Sequence, residues 1–563
     1  MMGALGSVVL WRGPAGLLAL ATFLGGCAIT PEAIRADAAA ESVPCQAAAT
    51  CARPMAMART SALRAEHLSD DAAANRHWLA CAEKAYVAAV MGDDRAGAVP
   101  LANRCTDQLL RAALRVNRRG WTEGRRNVGG IEMQVTFHGI SPNLPRTLEL
   151  SRAADVSMAI YDGQRHARIG FGVPLVATSP RCVDRPACAL MPAEGVFRAV
   201  TAWVEPAAGH GLPVLVIGDP DNASVPIALG ALSVDRSAAY ALGARASALN
   251  RQGVWGLLGG KKVGLRAGVY LLEDYDPNRR PVVMIHGLGS SPLIWAKTSN
   301  AIWGDPLLRQ HFQVWHVVYQ TNAPLLITRR RIQTYLDAAW RTLDPEGDDP
   351  ARQGMVLVGH SMGGVVARLL SADSGEVLWS AAFNVPLESL QVPPADRDVI
   401  RETFLFSHYP GVDRAIFLAA PHRGAPAADG WLGRVVNRLV GRRAPELKAL
   451  VRLAEAQPTA VREELRESYL QSRLNSIVTL RVAQPVRRAG ESLMPHPGVS
   501  YHTIAGVLIG EQPPGDGSVP LDSALLPAAS STLVIYSDHY LYQRGKAIDE
   551  VVRILQQAAA AGR

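Results

Sequence analysis

The C-terminal half of this 563-residue chain predicts an α/β domain with a mostly parallel central sheet, and three observations carry that expectation. From about residue 280, short β-branched runs alternate with amphipathic stretches, the pattern of strands joined by crossover helices. One such run, Val356-Leu357-Val358, leads into a glycine-flanked turn, Gly359-His360-Ser361-Met362-Gly363. The last run, Thr532–Tyr536, precedes a loop and a closing helix with Ile548, Val551, Val552 and Leu555 on one side. The α/β domain is expected over 276–563, after a helical segment (61–129) and a β-rich accessory domain (130–275).

In the α/β domain, strands are expected at Pro281–Ile285, Gln313–Tyr319, Met355–Val358, Ala415–Ala420, Tyr501–Ala505 and Thr532–Tyr536. Helices are expected near 329–342 and over Lys546–Gln556. In the accessory domain the β-like runs are Ile131–Phe137, Thr147–Leu150, Arg198–Val204, Val214–Ile217 and Val269–Leu272. Turn signals such as Gly218-Asp219-Pro220-Asp221 separate them. In the helical segment, Trp78, Cys81, Ala82, Tyr86 and Ala89 share one face, and Leu101, Cys105, Leu109 and Leu110 another. Two such segments suit a hairpin clipped by Cys81 and Cys105. Residues 27–60, rich in Ala, Pro and Ser, read as a tether.

Composition excludes several classes. A hydrophobic fraction of 48% with 19% charged residues rules out wholesale disorder. The net charge of +8 is spread thinly through Arg, with no basic stripe interleaved with aromatics, so nucleic acid is not an expected partner. G-x-G-x-x-G with a downstream acid, G-x-x-x-x-G-K-[ST], C-x-x-C and H-E-x-x-H are all absent, so no cofactor and no metal is expected.

The first 26 residues read as an export signal: Arg12, then the apolar run Gly13–Gly26, too short for the roughly 20 residues a bilayer span requires. The run ends Leu24-Gly25-Gly26-Cys27 and resembles a bacterial lipobox. That resemblance implies lipidation of Cys27. With Ala28 after it, it implies an exported lipoprotein at the outer membrane, facing the periplasm or the surface. The other six cysteines are Cys45, Cys51, Cys81, Cys105, Cys182 and Cys188. An oxidising compartment permits disulfides. Sequence proximity favours Cys45–Cys51 and Cys182–Cys188, leaving Cys81 with Cys105.

Gly359-His360-Ser361-Met362-Gly363 is a G-x-S-x-G pentapeptide between a strand and a helix-compatible run. Small residues there let a nucleophile sit on a strained turn, its hydroxyl above the sheet edge. The Met362 amide, at a helix N-terminus, is aimed where an oxyanion would develop. The chain here resembles the α/β-hydrolase family, in its bacterial lipase and esterase branches. A second matching element is Ile285-His286-Gly287-Leu288-Gly289; the resemblance implies that Leu288 donates the other oxyanion N–H. It also implies the order nucleophile, acid, base. Gly515-Asp516-Gly517-Ser518-Val519-Pro520 resembles the D-G-x-V-P turn that presents the acid, and His539 falls on the loop after the last strand, where the family carries its base.

Asp522 and Asp538 compete as acids, but Asp522 lies past the turn and Asp538 adjoins His539. His422, His496 and His502 compete as bases. His422, in a P-H-R-G turn, is expected near the substrate pocket, as are His286, Gly287 and His360. Apolar residues in 371–413, among them Trp379, Phe383 and Phe404, suit a lid; the other reading is a packed insertion. The expected function is a membrane-anchored serine hydrolase of carboxylic esters, esterase- or lipase-like, working through an acyl-enzyme at Ser361, Asp516 and His539 on ester or lipid-like substrates. The alternatives are an acyltransferase or amidase on the same residues, or a non-catalytic surface-binding lipoprotein with the same fold.

Overall fold

A computed structural model describes residues 53–561 except 142, 143, 145, 146, 210, 248, 250–263, 427–443 and 473. The signal, Cys27, Cys45–Cys51 and most of the tether lie outside the described residues. The fifteen strands are β1 Gly124–Val128, β2 Ile131–His138, β3 Glu149–Arg152, β4 Ala167–Arg168, β5 Val173–Ser179, β6 Val196–Glu205, β7 Val214–Gly218, β8 Val234–Asp235, β9 Gly268–Leu271, β10 Arg280–Ile285, β11 Phe312–Val318, β12 Met355–His360, β13 Val412–Leu418, β14 Ser500–Val507 and β15 Ser531–Tyr536.

The N-terminal half is a sheet covered by helices. Three helices, Pro54–Glu66, Asp71–Met91 and Arg95–Val116, replace the expected two. The first starts at Pro54, inside the stretch read as tether, because proline at the first helical position is preset for the helix and Met55, Ala58 and Ala62 bury on its inner face. Asp70 caps the second, accepting from the amides of Ala72 and Ala73, and Gly92 ends it at φ 78°. Cys81 is disulfide-bonded to Cys105, tying the second helix to the third, and Cys182 to Cys188. These helices share one apolar core with a six-stranded sheet of order β1-β2-β7-β6-β5-β3, so the helical segment and the β-rich region pack as one body. The helix Arg236–Ala246, not anticipated, covers the sheet's other face through Ala238 and Ala241 against Val176 and Phe197.

The C-terminal half is the expected α/β layer structure. Its sheet has the order β15-β14-β13-β12-β10-β11-β9, and every pairing is parallel except β9 with β11. β9 is a correction: the run expected as part of the accessory domain closes the second sheet instead, pairing Leu271 with Trp315. Its Val269 and Leu271 bury in the α/β core beside Trp315 and Val317, a long-range choice that the local pattern does not carry. β10, β11 and β12 are buried at every position, as central parallel strands are, with apolar cores on both faces. The stretch 371–413 is a packed insertion. Leu378, Trp379, Phe383, Ile400 and Phe404 are buried in the core with helices Leu325–Leu343 and Leu447–Ala456, so these side chains do not form a free lid surface.

Candidate active site

β12 runs straight into the helix Met362–Leu370, and Ser361 is the hinge between them, at φ 54° and ψ −126°. A non-glycine residue at positive φ is strained, and such strain persists only where neighbours over-determine it. Here the Ser361 amide donates to the Leu418 carbonyl (2.9 Å), and the amides of Gly364 and Val365 donate to the Ser361 carbonyl (2.9 and 3.3 Å). The flanking glycines are required by close approach. A Cβ on Gly363 would collide with the carbonyl oxygens of Ile285 and His286, and one on Gly359 with the backbone of Gly363. Gly287 lies against the nucleophile, its notional Cβ 3.0 Å from Ser361 Cβ.

Three residues far apart in the chain meet at this turn. His539 Nε2 lies 2.9 Å from Ser361 Oγ, and His539 Nδ1 lies 2.8 Å from Asp516 Oδ2. Asp516 is buried in a turn of its own making: its Oδ1 accepts from the amides of Ser518 (2.9 Å) and Val519 (2.7 Å). The remaining oxygen faces His539, and a carboxylate only accepts, so the network assigns the imidazole proton to Nδ1. Nε2 then offers its lone pair to the Ser361 hydroxyl. The amides of Leu288 and Met362 have no acceptor among the described residues, leaving two backbone donors beside the turn.

The competing acids and bases stand elsewhere. Asp538 pairs with Arg544 (3.0 Å), which holds its carboxyl below the usual range, and Asp522 is exposed. His502 is bound by Ser531 Oγ (2.8 Å) and Arg414 (2.7 Å), and His496 stacks on His408 at 3.9 Å.

The other histidines expected at the pocket are support residues, which corrects the reading of them as substrate contacts. His360 is 4% exposed. Its Nε2–H donates to the backbone carbonyl of His539 (2.8 Å), and its ring packs 4.9 Å from both the His539 and Tyr542 rings. Burial, then the neighbouring His539, pushes its pKa down to about 3, so it stays a neutral donor. His286 is buried beneath the loop that carries Leu288, stacked on Tyr319 at 4.4 Å, and burial pushes it down to about 4. The Tyr319 hydroxyl donates to the His286 carbonyl (2.5 Å), and Thr321 Oγ1 accepts from the Gly289 amide (3.1 Å), so β11 and the residues after it pin that loop. Neither Tyr319 nor Thr321 carries any motif in the sequence; their proximity is purely tertiary. His422 is buried edge-on to Phe417, with neither ring nitrogen bonded.

Asp373, His408 and His496 place three metal-capable atoms within 4.8 Å of one another, a cluster that sequence spacing did not suggest. His408 Nδ1 lies 2.9 Å from Asp373 Oδ1, and His496 Nδ1 accepts from the Gly498 amide (3.1 Å), so two of the three groups are satisfied internally.

Residues 282–554 match a family model described as the Alpha/beta hydrolase family. No curated protein matches the chain. Among solved structures, the propeptide form of lipase BlEst2 from Bacillus licheniformis aligns at 17% identity and TM-score 0.27, over 50% of this chain and 51% of that one. Lipase 1 from Pelosinus fermentans aligns at 12% identity and TM-score 0.30, over 50% of this chain and 99% of that one. Esterase B from Lactobacillus rhamnosis aligns at 13% identity and TM-score 0.28, over 52% and 81%. Likenesses this distant carry nothing about the substrate.

Proposed function

From a C-terminal half that belongs to the α/β-hydrolase superfamily, we propose that this protein cleaves carboxylic esters through an acyl-enzyme on Ser361. The observation that carries the reading is the hydrogen-bonded chain from Ser361 Oγ to His539 to Asp516. In this mechanism His539 Nε2 takes the hydroxyl proton as Ser361 Oγ attacks the ester carbonyl. Asp516 holds the imidazole in the tautomer that leaves Nε2 free and stabilises the imidazolium that forms. The unbonded amides of Leu288 and Met362 receive the oxyanion; removal of one such donor typically costs about 3 kcal/mol of barrier stabilisation. His539 then protonates the departing alcohol, and water, deprotonated in turn by His539, releases the acid. All of this uses the chain's own side chains and amides.

In the same reading, lipidated Cys27 tethers the enzyme at the outer membrane. The apolar run ending at Gly26-Cys27 supports this. Among the described residues no helix is long and apolar enough to cross a membrane.

A fluorophosphonate probe tests the nucleophile. Labelling of the wild type that disappears in Ser361→Ala supports the reading. A series of p-nitrophenyl esters of rising acyl length then places the enzyme between esterase and lipase. Absence of both labelling and turnover in the folded wild type would favour a binding role for the fold.

A further inference from the structure

The largest cavity among the described residues is not at Ser361. It is a crevice of about 840 Å³ between the two halves, and none of Ser361, Asp516 or His539 lines it. Its walls come from the helix Arg236–Ala246, the start of β6, the helix Ala296–Gly304 and β9, through Phe197, Tyr240, Leu272 and Trp303. Tyr240 packs on Trp303 at 5.4 Å, and its buried hydroxyl has no partner in the protein. A buried phenol normally finds one. The volume falls in the range of sites that enclose a small amphipathic molecule.

The charges of this crevice are unevenly matched. At one end each cation has its acid: Arg198 with Asp274 (3.0 Å), Arg266 with Glu194 (2.6 Å) and Arg279 with Glu273 (2.6 Å). At the other, Arg168, Arg236 and Arg309 gather around Asp221. Arg236 takes both its oxygens (2.8 and 2.7 Å), and Arg168 stands 3.6 Å away. Asp219 is engaged in its own turn, accepting from the Asp221 amide (2.8 Å) and the Asn222 side chain (3.1 Å). Arg309 is left with a backbone carbonyl, that of Trp303 (2.6 Å), and no carboxylate within ion-pair distance among the described residues. Burial, then repulsion from Arg236, holds its guanidinium below the usual value, and Asp221 only partly offsets this. A half-buried guanidinium without a counter-charge is costly, and an anion beside it relieves that cost.

We propose that this crevice is a second ligand site, taking an amphiphile with one oxyanion headgroup, a fatty carboxylate or an alkyl phosphate. The headgroup sits on Arg309 beside Arg168 and Arg236. The apolar chain lies along Tyr240, Trp303, Phe197 and Leu272, and the Tyr240 hydroxyl donates to the ligand. The site does not depend on ester hydrolysis.

Calorimetric titration of the purified full-length protein tests this in the Ser361→Ala background, so that turnover does not intrude. The probes are octanoate, octyl phosphate, octanol and inorganic phosphate. Octanoate or octyl phosphate is expected to bind, and the stronger of the two identifies the headgroup. Binding should weaken at least tenfold in Arg309→Gln, recover in part in Arg309→Lys, and weaken a few-fold in Tyr240→Phe. Arg309→Gln made with Ser361 intact should keep wild-type hydrolysis of a short neutral ester. Should Arg309→Gln not fold, Tyr240→Phe decides. The proposal is overturned if neither anionic amphiphile binds, if octanol or inorganic phosphate binds as tightly, or if binding survives in these variants unchanged. Failure of the ester assay alone would leave the binding result standing, so the two readings fail separately.

Discussion

Replacing Asp516 by Asn changes one atom and inverts the logic of the site. The Asp516 carboxylate spends one oxygen on two backbone donors, Ser518 at 2.9 Å and Val519 at 2.7 Å, and the other on His539 at 2.8 Å. An amide must keep its oxygen on the two N–H groups, since its NH₂ would be repelled there. The NH₂ then faces His539 Nδ1 and forces that nitrogen to accept. The proton moves to Nε2, which points at Ser361 Oγ from 2.9 Å and can no longer take the hydroxyl proton. The expected loss in kcat is ~10⁴-fold, about 5 kcal/mol of barrier. The fold should persist, because the turn keeps both backbone bonds, so Tm should shift by only about 3 °C or less. Asp516→Ala differs: it leaves two buried amides unbonded, at about 1–3 kcal/mol each, and should unfold earlier as well as lose activity. The assay is steady-state hydrolysis of a short p-nitrophenyl ester alongside thermal unfolding. Retention of more than a tenth of wild-type kcat in Asp516→Asn, or an equal loss in Asp538→Asn, would refute the assignment of the acid.

Three further expectations use other parts of the molecule. His360→Phe removes the donor to the His539 carbonyl and should lower kcat about five- to tenfold with KM little changed, the value of roughly one hydrogen bond; His360→Gln should recover part of it, and an unchanged kcat in the Phe variant would remove the positioning role. His286, His316 and His360 are held by burial near pKa values of about 4, 3 and 3, so the unfolded chain binds their protons more readily. Stability present above pH ~6.5 should therefore fall as pH drops towards 4, by up to about 1.4 kcal/mol per pH unit for each imidazole; a urea midpoint that is flat between pH 7 and 5 would contradict this. Opening the Cys81–Cys105 bond, which closes a loop of sequence separation 24, should lower stability by about 3 kcal/mol, read from the denaturation midpoints of the Cys81→Ala, Cys105→Ala double variant with and without reductant; equal midpoints for wild type and variant under oxidising conditions would count against it.

The sequence by itself determined what is enforced over a few residues. Gly359 and Gly363 are legible because no side chain fits where strand, turn and helix approach so closely. Asp516 is legible because an acid set between Gly515 and Gly517 can only build a tight turn. The order of Ser361, Asp516 and His539 follows from the alternation of strands and helices, and that alternation is local. Tertiary structure alone decided what depends on partners distant in sequence. β9 looks like any short strand, and only its pairing with β11 assigns it to the second sheet. The helices 54–116 look independent until their apolar faces meet the six-stranded sheet. The apolar residues of 371–413 suit a lid or a core equally well, and packing against the helices beside them selects the core. His360 reads as a pocket residue until the fold brings its ring under the carbonyl of a residue 179 positions away. Arg309 is one arginine among many until two halves of the chain close around it. Local geometry is written in residue size and backbone freedom. Long-range contact is selected by the summed burial of whole surfaces, which no short stretch encodes.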